Sequence, residues 1–156
     1  MDYADAFKAA GAPLRSPRNN WSALAPDESF IAVTVWQHEW DRGCATRVPV
    51  LGPQHPKAER YFHNTPGWIN EWAESRKAAG RPAPDSTPGW RLLREHHGRA
   101  SVGKLPIRIV VVQAEGAADG SEVSKVKDAR YRSEWTVVMN YFDAATGAYE
   151  YAIWRK

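Results

Sequence analysis

His38, Glu39 and Asp41 fall within four consecutive positions, and a histidine followed closely by two carboxylates can hold a divalent cation or relay a proton. They are the candidate catalytic residues of this chain, and the reaction they would serve is metal-dependent hydrolysis of a nucleic acid. His55, His63 and the pair His96-His97 add further imidazoles. The spacing does not complete a known arrangement. No ββα unit sets a general-base His beside a metal-binding His, and Glu115 is followed by Gly116-Ala117 instead of the x-Lys that would extend a restriction-nuclease carboxylate set. The bland alternative for His96-His97 is a helix C-terminal cap in which an imidazole favours the dipole. Cys44 is the sole cysteine, which excludes an internal disulfide and a cysteine zinc site and agrees with a reducing compartment. Ser-His-Asp and Gly-rich phosphate-loop patterns are absent. The sequence assigns no metal and no cofactor.

Polyanion binding has the stronger signal. From Arg76 to Arg108 the chain carries Arg76, Lys77, Arg81, Arg91, Arg94, Arg99, Lys104 and Arg108 against Asp85 and Glu95, an excess of six where the whole chain carries +3. Charge so segregated suits a surface that follows a phosphate backbone. The expected contacts are Arg91, Arg94, Arg99 and Lys104, supported by Arg76, Lys77 and Arg81. Rings are abundant as well, with eight Trp, six Tyr and four Phe. Trp21, Trp36, Trp40 and Tyr131 are the candidates for a platform or cage around a base. Trp40 stands out, because its neighbours are polar and show no apolar periodicity.

Two repeated phrases, Thr65-Pro66-Gly67-Trp68 and Thr87-Pro88-Gly89-Trp90, position the basic block. Each reads as a helix start, with Thr as N-cap through its hydroxyl and Pro in the first turn. The expected helices are Pro66 to Ala79 and Pro88 to His97, the first turning Trp68, Trp72, Ser75 and Ala79 to one side and the second stopped by Gly98. A short helix over residues 2 to 10 and an irregular arm to residue 20 come before. Strands are expected at Trp21 to Leu24, Phe30 to Trp36 and Thr46 to Leu51, with a helical turn at Lys57 to Phe62. Leu105 to Gln113 reads as a strand buried on both faces, and residues 114–124 as a loop. Arg130 to Phe142 alternates as one strand, with Tyr131, Trp135, Val137, Met139 and Tyr141 on one face. A hairpin at Asp143 to Gly147 leads to Tyr149, Tyr151 and Ile153.

The order predicts one α+β domain over residues 1–156: a twisted, mainly antiparallel sheet of about five to six strands, of the PUA-like kind, with two to three helices. Residues 65–99 form a two-helix basic insert within it. An apolar fraction of 43% and a charged fraction of 25% disfavour disordered and membrane classes. No run of eighteen apolar residues and no signal-peptide pattern occurs, so a cytoplasmic location without a membrane partner is expected.

Asn20-Trp21-Ser22-Ala23, followed by Val33-Thr34-Val35-Trp36-Gln37-His38-Glu39, resembles the opening of small uncharacterised bacterial proteins whose genes lie near, or are fused to, DNA-restriction components. The resemblance covers residues 20–39 and implies DNA-related work without assigning a catalytic residue. The function expected is a DNA-binding module that reads modified or extruded bases in a restriction or defence context. The alternatives are the metal-dependent nuclease and an immunity or anti-defence protein with a protein partner.

Overall fold

The computed structural model describes residues 1–115 and 126–156. A curled eight-stranded sheet forms the frame. Its strands are β1 (Ser22–Leu24), β2 (Ile31–Trp36), β3 (Ala45–Thr46), β4 (Arg60–Asn64), β5 (Ile107–Ala114), β6 (Val126–Tyr131), β7 (Trp135–Phe142) and β8 (Tyr149–Arg155). They lie side by side in the order β1-β2-β5-β7-β8-β4-β3, with β6 also paired to β5. Every ladder is antiparallel except β2 with β5, which run parallel from Ile31↔Ile107 to Trp36↔Val112. The fold is therefore α+β, with more strands than the five to six expected and, among the described residues, four α-helices where two to three were expected.

Parallel neighbours need cover on both faces, and alternation along the central strands provides two cores. Ile31, Val33 and Val35 of β2 join Ile107, Ile109 and Val111 of β5 in the first core. Ala32, Val110 and Val112 face the second. Helix α1 (Tyr3–Ala9) covers the second core through Ala6 and Phe7, and Asp2 caps it by accepting from the Asp5 amide at 2.8 Å. Burying a ring such as Phe7 contributes about 2 kcal/mol.

Helices α3 (Pro66–Ala78) and α4 (Pro88–Gly103) lie against the first core, with a three-residue helical turn α2 (Gln37–Glu39) preceding them in the chain. The two repeated helix starts differ. The Thr65 hydroxyl accepts from the Trp68 amide at 3.1 Å, whereas the Thr87 hydroxyl makes no capping bond and is buried without a partner. No residue of α3 is fully buried, and Ile69 and Trp72 carry its packing. Helix α4 does not stop at Gly98. It continues to Gly103 and is capped by Lys104 in the left-handed conformation, because Ala100 still has core to bury.

Gly89 is required by contact. A Cβ there would lie 2.5 Å from the Trp21 ring and 2.7 Å from the Asn19 carbonyl. Gly89→Ala is expected to lower stability by about 2 kcal/mol through overpacking, read as a fall in thermal midpoint. An unchanged midpoint would show that the arm and α4 move apart freely.

Three expected elements are corrected. Residues 47–51 are a loop, since only Ala45–Thr46 pairs with β4. Within Lys57 to Phe62 the chain is extended from Arg60, held to β8 by the register Arg60↔Ile153 to Asn64↔Tyr149. Arg130 to Phe142 is two strands broken at 132–134, with a further irregularity between Met139 and Tyr141. Tyr131 consequently packs on the second core while Trp135, Val137 and Met139 pack on the first. The loop expected at 114–124 lies mostly outside the described residues.

Candidate functional site

At the end of β2 the chain turns through α2 into a π-type turn, Trp40–Cys44, which closes at Gly43 with φ 97°, a backbone that glycine adopts without strain. This reversal lays the Trp40 ring against two others. Trp135 at the start of β7 stacks on it at 5.1 Å between centroids, and Phe62 of β4 lies at 6.0 Å on nearly parallel planes.

Trp40 and Trp135 belong to a cleft of about 670 Å³ at the ends of β4, β7 and β8, which Trp154 and Ile153 also line. The register places Trp135 opposite Arg155 and Arg60 opposite Ile153, so residues distant in the chain meet at one rim. Arg47, Arg60, Arg132 and Arg155 line the same cleft, with Glu59 the one carboxylate among the lining residues. Arg132 lies over the Trp135 ring at 4.2 Å and donates from Nε to Glu134 at 2.5 Å. His55 stacks on Trp154 at 4.8 Å behind the cleft. Indole faces beside guanidinium groups can accept a planar heteroaromatic ring together with an anionic group, and the volume suits a small ligand.

Behind Trp40 and Phe62 the interior is polar. Asn64 Nδ2 donates to the Tyr149 hydroxyl at 2.9 Å, and a bond of 2.5 Å joins His97 Nε2 to the Tyr151 hydroxyl. Asn64 Oδ1 and His97 Nδ1 are buried without partners. Burial pushes both tyrosines well above the ordinary phenol range and lowers His97 to about 3, so the imidazole is neutral. Glu39 borders this interior, half-buried, and acts on Cys44, Tyr149 and Tyr151. Desolvation raises its carboxyl to about 7, partly offset by the Arg42 guanidinium. Cys44 is buried, and desolvation reinforced by Glu39 raises its thiol to about 11. A thiol held that high is not a nucleophile at neutral pH.

The three candidate catalytic side chains are not gathered at one point. His38 lies beside the Trp36 ring at 5.8 Å and is lowered by burial, while exposed Asp41 accepts from Gln37 Nε2 at 2.9 Å. Glu39 is half-buried beside the polar interior. Among the described residues no group of three His, Cys, Asp or Glu is placed to hold a metal ion.

The ring candidates separate too. Trp21 lies tilted against Trp72 at 6.0 Å on the first core, whereas Trp36 and Tyr131 pack on the second. Only Trp40 of the four lines the cleft.

Much of the basic block is engaged within the molecule. Arg94 pairs with Asp85 at 3.0 Å and donates to the Ala144 carbonyl at 2.5 Å, and Arg99 pairs with Glu28 at 2.6 Å. Arg76 donates to the Pro82 carbonyl, and Arg108 donates to Ala10 and lies 3.6 Å over Phe30. Lys77, Arg81, Arg91 and Lys104 are exposed. His96 and His97, expected near a helix end, sit inside α4, where His96 Nδ1 bonds the Ser22 hydroxyl at 2.7 Å and ties the helix to β1.

Trp135, Trp154, Arg47, Arg60, Arg132 and Arg155 carry no signal in a charge run or a motif, since they are scattered between residues 47 and 155. The separations Arg132 to Trp135 and Trp154 to Arg155 become informative only once β7 and β8 are paired. No protein-family model, curated protein or solved structure matches the chain.

Proposed function

We propose that this protein is a DNA-binding module that takes an extruded or modified base into the cleft beside Trp40, in a restriction or defence context. The observation that supports it is the stacked pair Trp40 and Trp135 in a cleft that four arginines line with Glu59 as the one carboxylate among the lining residues, Arg132 being paired with Glu134. In this reading the base packs against what the Phe62, Trp40 and Trp135 stack leaves exposed of the two indoles, and Arg47, Arg60 and Arg155 hold the flanking phosphates. Exposed Lys77, Arg91 and Lys104 on and beside the helices extend the contact to phosphates farther along. A curled sheet is also the architecture that the PUA-like analogy supplies, as an analogy of fold alone.

The divergence of His38, Glu39 and Asp41 gives this reading precedence over a metal-dependent nuclease. It is tested by fluorescence anisotropy with labelled duplexes, unmodified and carrying methylated or hydroxymethylated bases, at about 50 and 200 mM salt. Binding that weakens steeply over that span and prefers one duplex supports it. An absence of binding to any duplex or single strand at the lower salt overturns it and redirects attention to a protein partner.

A further inference from the structure

The ladders set the rings and cations of the cleft in a fixed order. Ile153 opposes Arg60, and Arg155, two residues on along β8, points to the same face and opposes Trp135. The ladder between β3 and β4 ends at Thr46↔Tyr61, so Arg47 leaves it beside Arg60. Across β7, β8, β4 and β3 the cleft therefore presents Trp135 with Trp40 stacked on it, then Ile153 and Arg155, then Arg60, then Arg47. Two strand spacings, about 10 Å, separate β7 from β4, the reach of one nucleotide from base to phosphate. Among the described residues Arg47, Arg60 and Arg155 make no ion pair and no side-chain hydrogen bond, and Glu59, although it lines the cleft, pairs with none of them. Like charges on neighbouring strands cost stability, and nothing among the described residues offsets Arg47 beside Arg60. At the β7 end the reverse holds. Arg132 packs over Trp135 at 4.2 Å and is paired with Glu134. Uncompensated positive charge thus lies to one side of the ring pair.

We propose that the base entering the cleft belongs to a terminal nucleotide, whose phosphomonoester is held by Arg47, Arg60 and Arg155. The proposal rests on the base-binding reading above and narrows it. An internal nucleotide has a phosphodiester on each side and calls for free cations on both sides of the rings. A terminal nucleotide carries its charge on one side, which is where the unpaired guanidinium groups stand. A phosphomonoester has about −1.5 to −2 charges at pH 7 and three acceptor oxygens, against one charge and two free oxygens on a diester. Guanidinium groups match such oxygens in pairs. Ile153, between rings and charge, offers the sugar an apolar contact. A base that is already unpaired also costs least to take from its stack, and a strand end supplies one. A free nucleoside monophosphate presents the same ring and the same terminal phosphate.

The test is calorimetric titration of the full chain with one duplex sequence carrying a 5′-phosphate, a 3′-phosphate or neither, with the same sequence closed at both ends by hairpin loops around a mismatched base, and with deoxynucleoside 5′-monophosphates. A phosphorylated end is expected to bind about 10-fold more tightly than an unphosphorylated one, the effect of a charge-assisted bond. Arg47→Ala with Arg60→Ala is expected to remove that preference, and Arg155→Ala alone to reduce it. All three positions are exposed, and an unchanged thermal midpoint confirms each fold. A monophosphate that binds as tightly as the phosphorylated duplex supports the assignment and makes the ligand a free nucleotide, whereas one that binds more weakly makes it a strand end. Equal affinity for phosphorylated, unphosphorylated and closed duplexes, or a preference of the same size in all the variants, overturns the terminal-phosphate assignment while leaving base binding standing. A protein that binds neither any duplex nor a monophosphate overturns the base-binding reading itself, and this assignment with it.

Discussion

Trp40→Ala is expected to weaken binding to a duplex with an extrudable base by about 10- to 100-fold, the range that follows from about 1–3 kcal/mol for stacking one base on one aromatic ring. The slope of affinity against salt is expected to stay unchanged, because an indole releases no counterion. Trp40 also packs on Phe62 and Trp135, so the truncation lowers stability, and Trp40→Phe separates the two effects by keeping a ring in place. Retention of most of the affinity by Trp40→Phe and its loss in Trp40→Ala, with both proteins folded, is the predicted pattern. Equal affinity in all three proteins would remove Trp40 from the site.

Glu39→Gln is expected to stabilise the protein at pH 8 by about 2 kcal/mol, or about 5 °C in thermal midpoint for a chain of this size. The folded state raises the carboxyl from 4.5 to about 7. What the neutral acid contributes is fully present below 4.5 and is lost as pH rises through 7, where folding holds a desolvated carboxylate. The figure is reduced from the full shift because Glu39 is partly exposed. The gain should therefore vanish near pH 4.5. His97 has the opposite slope. Its folded value falls from 6.5 to about 3, so its contribution is intact above 6.5 and is lost as pH falls toward 3. Between 4.5 and 6.5 the Glu39 trend is opposed by His97 and by His38, His63 and His96, which burial also lowers, and above 6.5 only the Glu39 trend remains. Thermal melts of wild type and variant from pH 4 to 8 check this. A variant less stable than wild type at both ends would mean that the carboxylate makes a bond the fold depends on.

The elements that local chemistry fixes were legible in the chain. The strand expected at Phe30 to Trp36 is β2, which the structure sets between two cores, and Thr65-Pro66 marked the start of α3. What could not be read was decided by pairing across distance. Arg60 to Asn64 carries no strong strand pattern and becomes a strand because β8 offers it a partner edge. The break at 132–134 turns Tyr131 and Trp135 to different cores although they sit in one alternating run. The cleft followed the same rule. Counting charge along the sequence found the 76–108 block, where Arg94 and Arg99 turned out to be tied to Asp85 and Glu28. The four cleft arginines meet only through the ladders of β4, β7 and β8 and the loop after β3. Trp40 stands out in the sequence because its isolation among polar residues is a local property, and in the structure it lines the cleft.

The most direct measurement compares two double variants in DNA anisotropy across a salt series: Arg60→Ala with Arg155→Ala in the cleft, and Lys77→Ala with Arg91→Ala on the helices. The cleft variant is expected to lose most of the affinity and preference for the extruded or modified base and to flatten the salt slope by about 1–2. The helix variant should flatten the slope while keeping that preference. A cleft variant that binds as the wild type does, with the same preference and slope, would contradict the assignment of the site.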